Sequence, residues 1–175
     1  MKLLIISLSL LFGTFSFGSD FYNVKDKTFQ GKDFDFTSLK GKVTLVVNIA
    51  SRCGYTPQLD GLQKIFTKYQ GKNFTIIGVP SNDFGGQSPE GNKEFKKFCE
   101  MNYGVKFPIL RKSVIKGSEK SELYKHLTTS APSKGDVRWN FEKFLIDKNG
   151  TITNRFKSSV TPESEILIKS IEKLL

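Results

Sequence analysis

Two cysteines, Cys53 and Cys99, and a single histidine, His126, are the side chains of this 175-residue sequence best suited to nucleophilic or redox chemistry. Cys53 stands in ASRCGYT, after the apolar run VTLVVNI and before Pro57, which opens a stretch with Leu59, Leu62, Phe66 and Tyr69 at helical spacing. A cysteine between a buried strand and a helix meets the amides and positive end of that helix, an arrangement that favours the thiolate. Its neighbours Arg52, Gly54, Tyr55 and Thr56 read as an exposed loop, so Cys53 reads as a reactive thiol rather than a small buried hydrophobe. Cys99 shares the apolar face of a helix with Phe95 and Phe98, as a core residue would. His126, in LYKHLTTS, reads as a surface residue of a polar helix, which weakens any cysteine–histidine protease reading. Nothing supplies the three or four clustered ligands of a zinc site, and neither metal nor cofactor is expected.

The elements around Cys53 are legible in the hydrophobic pattern. Val43 to Ile49 and Phe74 to Val79 are nearly continuous β-branched and apolar runs, the pattern of strands buried on both faces. Between them lies the helix that follows Cys53, and a second helix follows around Phe95, Phe98 and Cys99, so the unit is βαβα with a parallel strand pair. Upstream, FYNVKDKTFQGKDFDFTSLKGK alternates around Gly31 and predicts a short edge hairpin. Downstream, WNFEKFLI and TITNRF flank Asp147-Lys148-Asn149-Gly150, an antiparallel hairpin whose Asn-Gly step favours positive φ. Thr161-Pro162-Glu163 then predicts an N-cap, a first-turn proline and a favourable acid for a terminal helix. The order is that of an α/β protein, a thioredoxin-like fold with a mixed central sheet flanked by helices and an N-terminal β-hairpin.

Hydrophobic residues at 38% and charged residues at 25% exclude a disordered or polytopic membrane protein. Residues 1–18 carry one cation, Lys2, an apolar run from Leu3 to Phe12 and small residues at Ser16 and Gly18, which predicts a signal peptide and export to the periplasm or outside the cell. The run is shorter than the roughly 20 apolar residues that span a bilayer. Residues 19–175 are expected to form a single domain. The formal net charge of +10 would draw the protein to anionic surfaces, such as a membrane. The lysines are scattered and carry no helix-turn-helix or zinc-finger pattern, so nucleic-acid binding is not expected.

Four blocks in order, VNIASRCGYT, VPSNDFGGQSPEG, FCEMNYGVKFPIL and WNFEKFLIDKNG, resemble the consecutive signatures of the glutathione peroxidase family in its cysteine form. The resemblance runs from about Phe21 to the C-terminus. It implies a thioredoxin-like fold, reduction of hydrogen peroxide and organic or lipid hydroperoxides, and an active-site tetrad of Cys53, Gln87, Trp139 and Asn140. The amide and indole groups could each donate to sulfur or to a developing oxyanion without changing protonation state. Where the family often has Cys-Asn-Gln-Phe and Gln-Glu-Pro, this sequence has Ser81-Asn82-Asp83-Phe84 and Gln87-Ser88-Pro89. An intramolecular disulfide would therefore have to use Cys99, at the place of a resolving cysteine in members reduced by thioredoxin.

The resemblance also implies a thioredoxin-like protein or glutathione as electron donor. The short connection TTSAPSKGDVR before Trp139, where tetrameric members carry a longer insertion, implies a monomer with an open site. An exported thiol-disulfide oxidoreductase is the main alternative, against which Thr56 stands where a Cys-x-x-Cys motif needs its second thiol. A peroxide-sensing redox relay would use the same two cysteines, and a non-catalytic basic surface-binding domain would leave Cys53 inert.

Overall fold

The two apolar runs form the centre of the sheet. Residues 20–175 are described by the computed structural model, and the expected signal peptide, 1–18, lies outside them. Strand β1 (Val43–Ile49) pairs in parallel with β2 (Phe74–Pro80), from Val43 opposite Phe74 to Ile49 opposite Pro80, and both are buried along their whole length. Helix α1 (Gln58–Tyr69) joins them. Strand β3 (Lys143–Ile146) runs antiparallel to β1, and β4 (Ile152–Phe156) antiparallel to β3, so the sheet order is β2-β1-β3-β4.

Alternation along β1 divides the core. Leu45, Val47 and Ile49 pack with Leu59 and Leu62 of α1, Phe95 and Cys99 of α2 (Asn92–Tyr103), and Leu167 and Ile171 of α4 (Glu165–Leu174). Val46, on the other face, packs with Phe144, Ile77, Phe21, Phe36 and with Leu123, Tyr124 and Leu127 of α3 (Glu122–Ser130). Helices therefore cover both faces of a mixed sheet, as an apolar two-faced strand requires.

Three details depart from the sequence reading. The N-terminal hairpin shrinks to one antiparallel bridge, Lys27 with Asp33, closed by Thr28 and Gly31 at its tip. Its partner segment leaves the pairing because Phe36 turns into a short 3-10 helix and meets the buried ring of Phe21 edge-on. The terminal helix starts at Glu165 with Ser164 as N-cap, not at Thr161: the Thr161 carbonyl accepts from the Ser164 amide and hydroxyl, closing a turn before the helix. Of the Asn149-Gly150 step only Gly150 has positive φ, at 87°.

Helix α3 is a full element in its own right, begun by the Ser121 hydroxyl accepting from the Tyr124 amide. His126 on this helix is half-buried, its ring 6.2 Å from that of Phe21, rather than a plain surface residue.

Candidate active site

Cys53 lies where the chain turns from the end of β1 into α1. Thr56 closes that turn: its hydroxyl accepts from the Cys53 amide (3.0 Å) and donates to the Ala50 carbonyl (2.9 Å). The residue found in place of a second thiol thus serves as a buried clip. Cys53 itself is only 7% exposed, against the exposed-loop reading, although Arg52 and Gly54 beside it face solvent. The Tyr55 amide donates to Sγ at 3.4 Å, so a negative charge on sulfur meets a fixed dipole. That donor is not the first turn of α1, whose Gln58 and Leu59 amides are spent on the Tyr55 and Thr56 carbonyls.

Gln87 reaches the site from the β2–α2 loop. Gly85 and Gly86, with φ of 62° and 65°, take the left-handed conformations that turn the loop, and the Gln87 amide closes it onto the Phe84 carbonyl. The Gln87 carbonyl then accepts from the Arg52 amide (3.0 Å) and the Ser51 hydroxyl (3.2 Å), which binds this loop to the two residues before Cys53. Glu90 adds a second tie, accepting from Ser51 Oγ at 2.6 Å and Arg52 Nε at 3.0 Å. Burial opposes the Glu90 charge, but the Ser51 hydroxyl, its own amide and the Arg52 guanidinium outweigh it and hold the carboxyl below the usual carboxylate range.

Asn140 is fully buried, and its Nδ2 donates to Gln87 Oε1 at 2.9 Å. This contact orients the glutamine: with Oε1 occupied as acceptor, Nε2 is the end left to donate. Trp139, one residue earlier, is 41% exposed, which argues against a core role for the sole tryptophan, and its ring lies 5.7 Å from that of Phe84. Trp139 and Tyr55 line one cleft of about 270 Å³. Phe141, with φ of 67°, holds a conformation that bulky residues rarely adopt. The four sequence-predicted residues thus come from three loops joined by hydrogen bonds, Gln87 to Asn140 directly and Gln87 to Cys53 through Ser51 and Arg52.

Cys99 is on the intact helix α2, fully buried in the same apolar cluster as Cys53, and both thiols are free. Burial, then the carboxylates of Glu100 and Glu90, push its thiol up to about 12, so it is no nucleophile where it sits. Sequence reasoning missed Asn48, Ser51 and Glu90. Asn48 carried a signal, as the one amide in VTLVVNI, whereas Ser51 and Glu90 carried none. Among the described residues no cluster of three His, Cys, Asp or Glu could hold a metal ion.

The glutathione peroxidase family model matches residues 21–128, well over half of the chain. The chain belongs to the glutathione peroxidase family. Glutathione peroxidase-like peroxiredoxin 2 of Saccharomyces cerevisiae is 44% identical over 90% of this chain and 98% of its own length. Hydroperoxy fatty acid reductase gpx1 of Synechocystis sp. is 38% identical over 88% and 95%. The crystal structure of T. cruzi GPX1 superposes with a TM-score of 0.71 at 30% identity, covering 88% of this chain and 95% of that one. A thiol:disulfide interchange protein from Chlorobium tepidum, 21% identical with a TM-score of 0.63, covers 85% and 90% and shares the thioredoxin-like fold. This member of the family is an oxidoreductase, a thiol peroxidase that acts on hydroperoxides.

Proposed function

We propose that Cys53 is the peroxide-reducing thiol of this family member, served by Gln87, Trp139 and Asn140 and resolved by Cys99. The observation that carries this reading is the Asn140–Gln87 hydrogen bond, which leaves the amide nitrogen as the donating end of a glutamine whose backbone carbonyl is bonded to Ser51 and Arg52, the two residues before Cys53. The thiolate attacks one peroxide oxygen, the S–O bond forms as the O–O bond breaks, and the leaving alkoxide or hydroxide takes up a proton. Cys53 is then a sulfenic acid. The Gln87 amide and the Trp139 indole donate to the charge that develops on oxygen. Once α2 opens and exposes Cys99, its thiol gives up its proton and attacks the oxidised sulfur. The S–S bond forms as the S–O bond breaks, the leaving hydroxide takes that proton to become water, and a thioredoxin-like dithiol or glutathione returns the two electrons.

The surroundings of Trp139 favour bulky, anionic hydroperoxides. The Trp139–Tyr55 cleft shares Arg138, Glu142 and Lys157 with a neighbouring cleft of about 430 Å³ that adds Lys134 and Arg155. Arg155 neutralises Glu142 at 2.7 Å, while Lys134, Arg138 and Lys157 form no ion pair among the described residues. Three uncompensated cations beside the site suit a carboxylate or phosphate and support contact with an anionic membrane surface. The short chain before Trp139 supports a monomer, and the sequence of residues 1–18 supports export.

The test is peroxide consumption by Cys53→Ser, which is expected to be lost while the fold stays intact, because a serine hydroxyl stays protonated near neutral pH. Gln87→Ala is expected to slow Cys53 oxidation by ~10- to 1,000-fold. Wild-type turnover by Cys53→Ser would refute the assignment.

A further inference from the structure

We infer that Asn48 is a positioning residue for the peroxide step, holding the Trp139–Phe141 turn so that Asn140 meets Gln87. The inference rests on the tetrad proposed above. Asn48 is fully buried in β1, in a run otherwise made of aliphatic and threonine side chains, where a buried amide is costly unless something uses it. The turn uses the side-chain amide once and the Asn48 main chain twice. Nδ2 donates to the Trp139 carbonyl at 3.0 Å, the Asn48 carbonyl accepts from the Phe141 amide at 2.7 Å, and the Asn48 amide donates to the Glu142 carbonyl at 3.4 Å.

The regular β1–β3 ladder stops at Val47 opposite Lys143; beyond it the Asn48 main chain bonds Glu142 and Phe141, and its side chain extends the contact to Trp139. Residues 139, 141 and 142 are all tied to Asn48; the residue between them, Asn140, is the one that reaches Gln87. Phe141 pays for this shape with its positive φ, which persists only where surrounding bonds over-determine the backbone. Only the Nδ2 end of the Asn48 side chain is bonded to protein, since Oδ1 has no partner, so the donor is the working part. Without it the Trp139 carbonyl is released, the turn relaxes, and Asn140 no longer fixes which end of Gln87 donates.

The variants Asn48→Val, which resembles its strand neighbours, and Asn48→Asp, which keeps the shape without the donor, test this beside Asn140→Ala and the double variant Asn48→Val/Asn140→Ala. The readouts are circular dichroism, the second-order rate of Cys53 oxidation by hydrogen peroxide, the rate of Cys53 alkylation by iodoacetamide, and the emission of Trp139. The folded Asn48 variants are expected to oxidise roughly 10- to 100-fold more slowly, with alkylation within two-fold of wild type and a shifted Trp139 emission. The double variant is expected to be no slower than Asn140→Ala, because both changes remove one arrangement. A fast folded Asn48→Asp or Asn48→Val beside a slow Asn140→Ala would overturn the role of Asn48 alone, as would penalties that multiply in the double variant. A wild-type rate in Asn140→Ala would instead overturn the tetrad reading and this inference with it.

Discussion

Lys143 is the residue whose chemistry the active-site reading does not use. It is fully buried on β3, and Nζ donates to Gln58 Oε1 at 2.6 Å and the Val160 carbonyl at 2.5 Å, while Gln58 Nε2 donates to the Ser158 carbonyl. Both acceptors are neutral, so burial lowers the amine to about 7, against which the Glu142 charge acts only weakly. The folded state therefore favours the neutral amine, and native stability rises as pH climbs from about 7 toward the ordinary lysine range. Chemical denaturation at several pH values should show wild type gaining on Lys143→Met by up to about 1.4 kcal/mol per pH unit between pH 7 and 10. Parallel pH profiles for the two proteins would show that the amine keeps its ordinary protonation. At this scale the sequence pointed to Cys53 by its place between strand and helix, and to Gln87, Trp139 and Asn140, which form the rest of the proposed site, through the block resemblance. The Ser51–Glu90 tie and the buried Lys143 were not legible, because each depends on residues brought together from distant loops.

Among the elements, α2 has the greatest mechanical demand placed on it. Cys99 sits in its middle turns, fully buried, and a disulfide needs Cα atoms roughly 4.4–6.8 Å apart. Both ends of the helix are held: Lys112 donates to the Ser88 and Glu90 carbonyls ahead of it, and the Gly104 amide caps it by donating to the Cys99 and Glu100 carbonyls. If Cys99 resolves Cys53, stoichiometric peroxide should cross-link the two cysteines and remove α2 from the far-UV circular dichroism signal. Cys99→Ser should keep that signal, oxidise Cys53 at the wild-type rate and lose thioredoxin-supported turnover. A cross-linked pair with unchanged helicity would refute the unwinding, and full turnover by Cys99→Ser would refute resolution. The strands were legible because VTLVVNI and FTIIGV admit no other reading once flanked by turn residues. The start of α4 was not, because Thr161 offers its carbonyl rather than its side chain and leaves the cap to Ser164.

For the whole molecule, the arrangement of charge matters more than its total. The cations near Trp139 gather at one end of β3 and β4, where Arg138 and Lys157 flank the cleft and Glu142 is already neutralised. Exposed charge attraction falls with ionic strength. Reduction of a fatty-acid hydroperoxide should therefore slow several-fold between 20 mM and 500 mM salt, while reduction of hydrogen peroxide changes little; equal salt responses would remove the cleft from substrate binding. Composition alone disclosed the excess of positive charge but not its position, since Arg138 and Lys157 are separated by a hairpin in sequence and meet only when β3 and β4 pair.

The most direct test of the account is the fate of Cys53 when the reduced protein meets one equivalent of hydrogen peroxide. Cys99→Ser, treated in the presence of a 1,3-diketone that captures sulfenic acids, should carry the adduct on Cys53, with peroxide consumed in equal amount. A Cys53 thiol that survives unmodified, with the peroxide still present, would contradict the account at its centre.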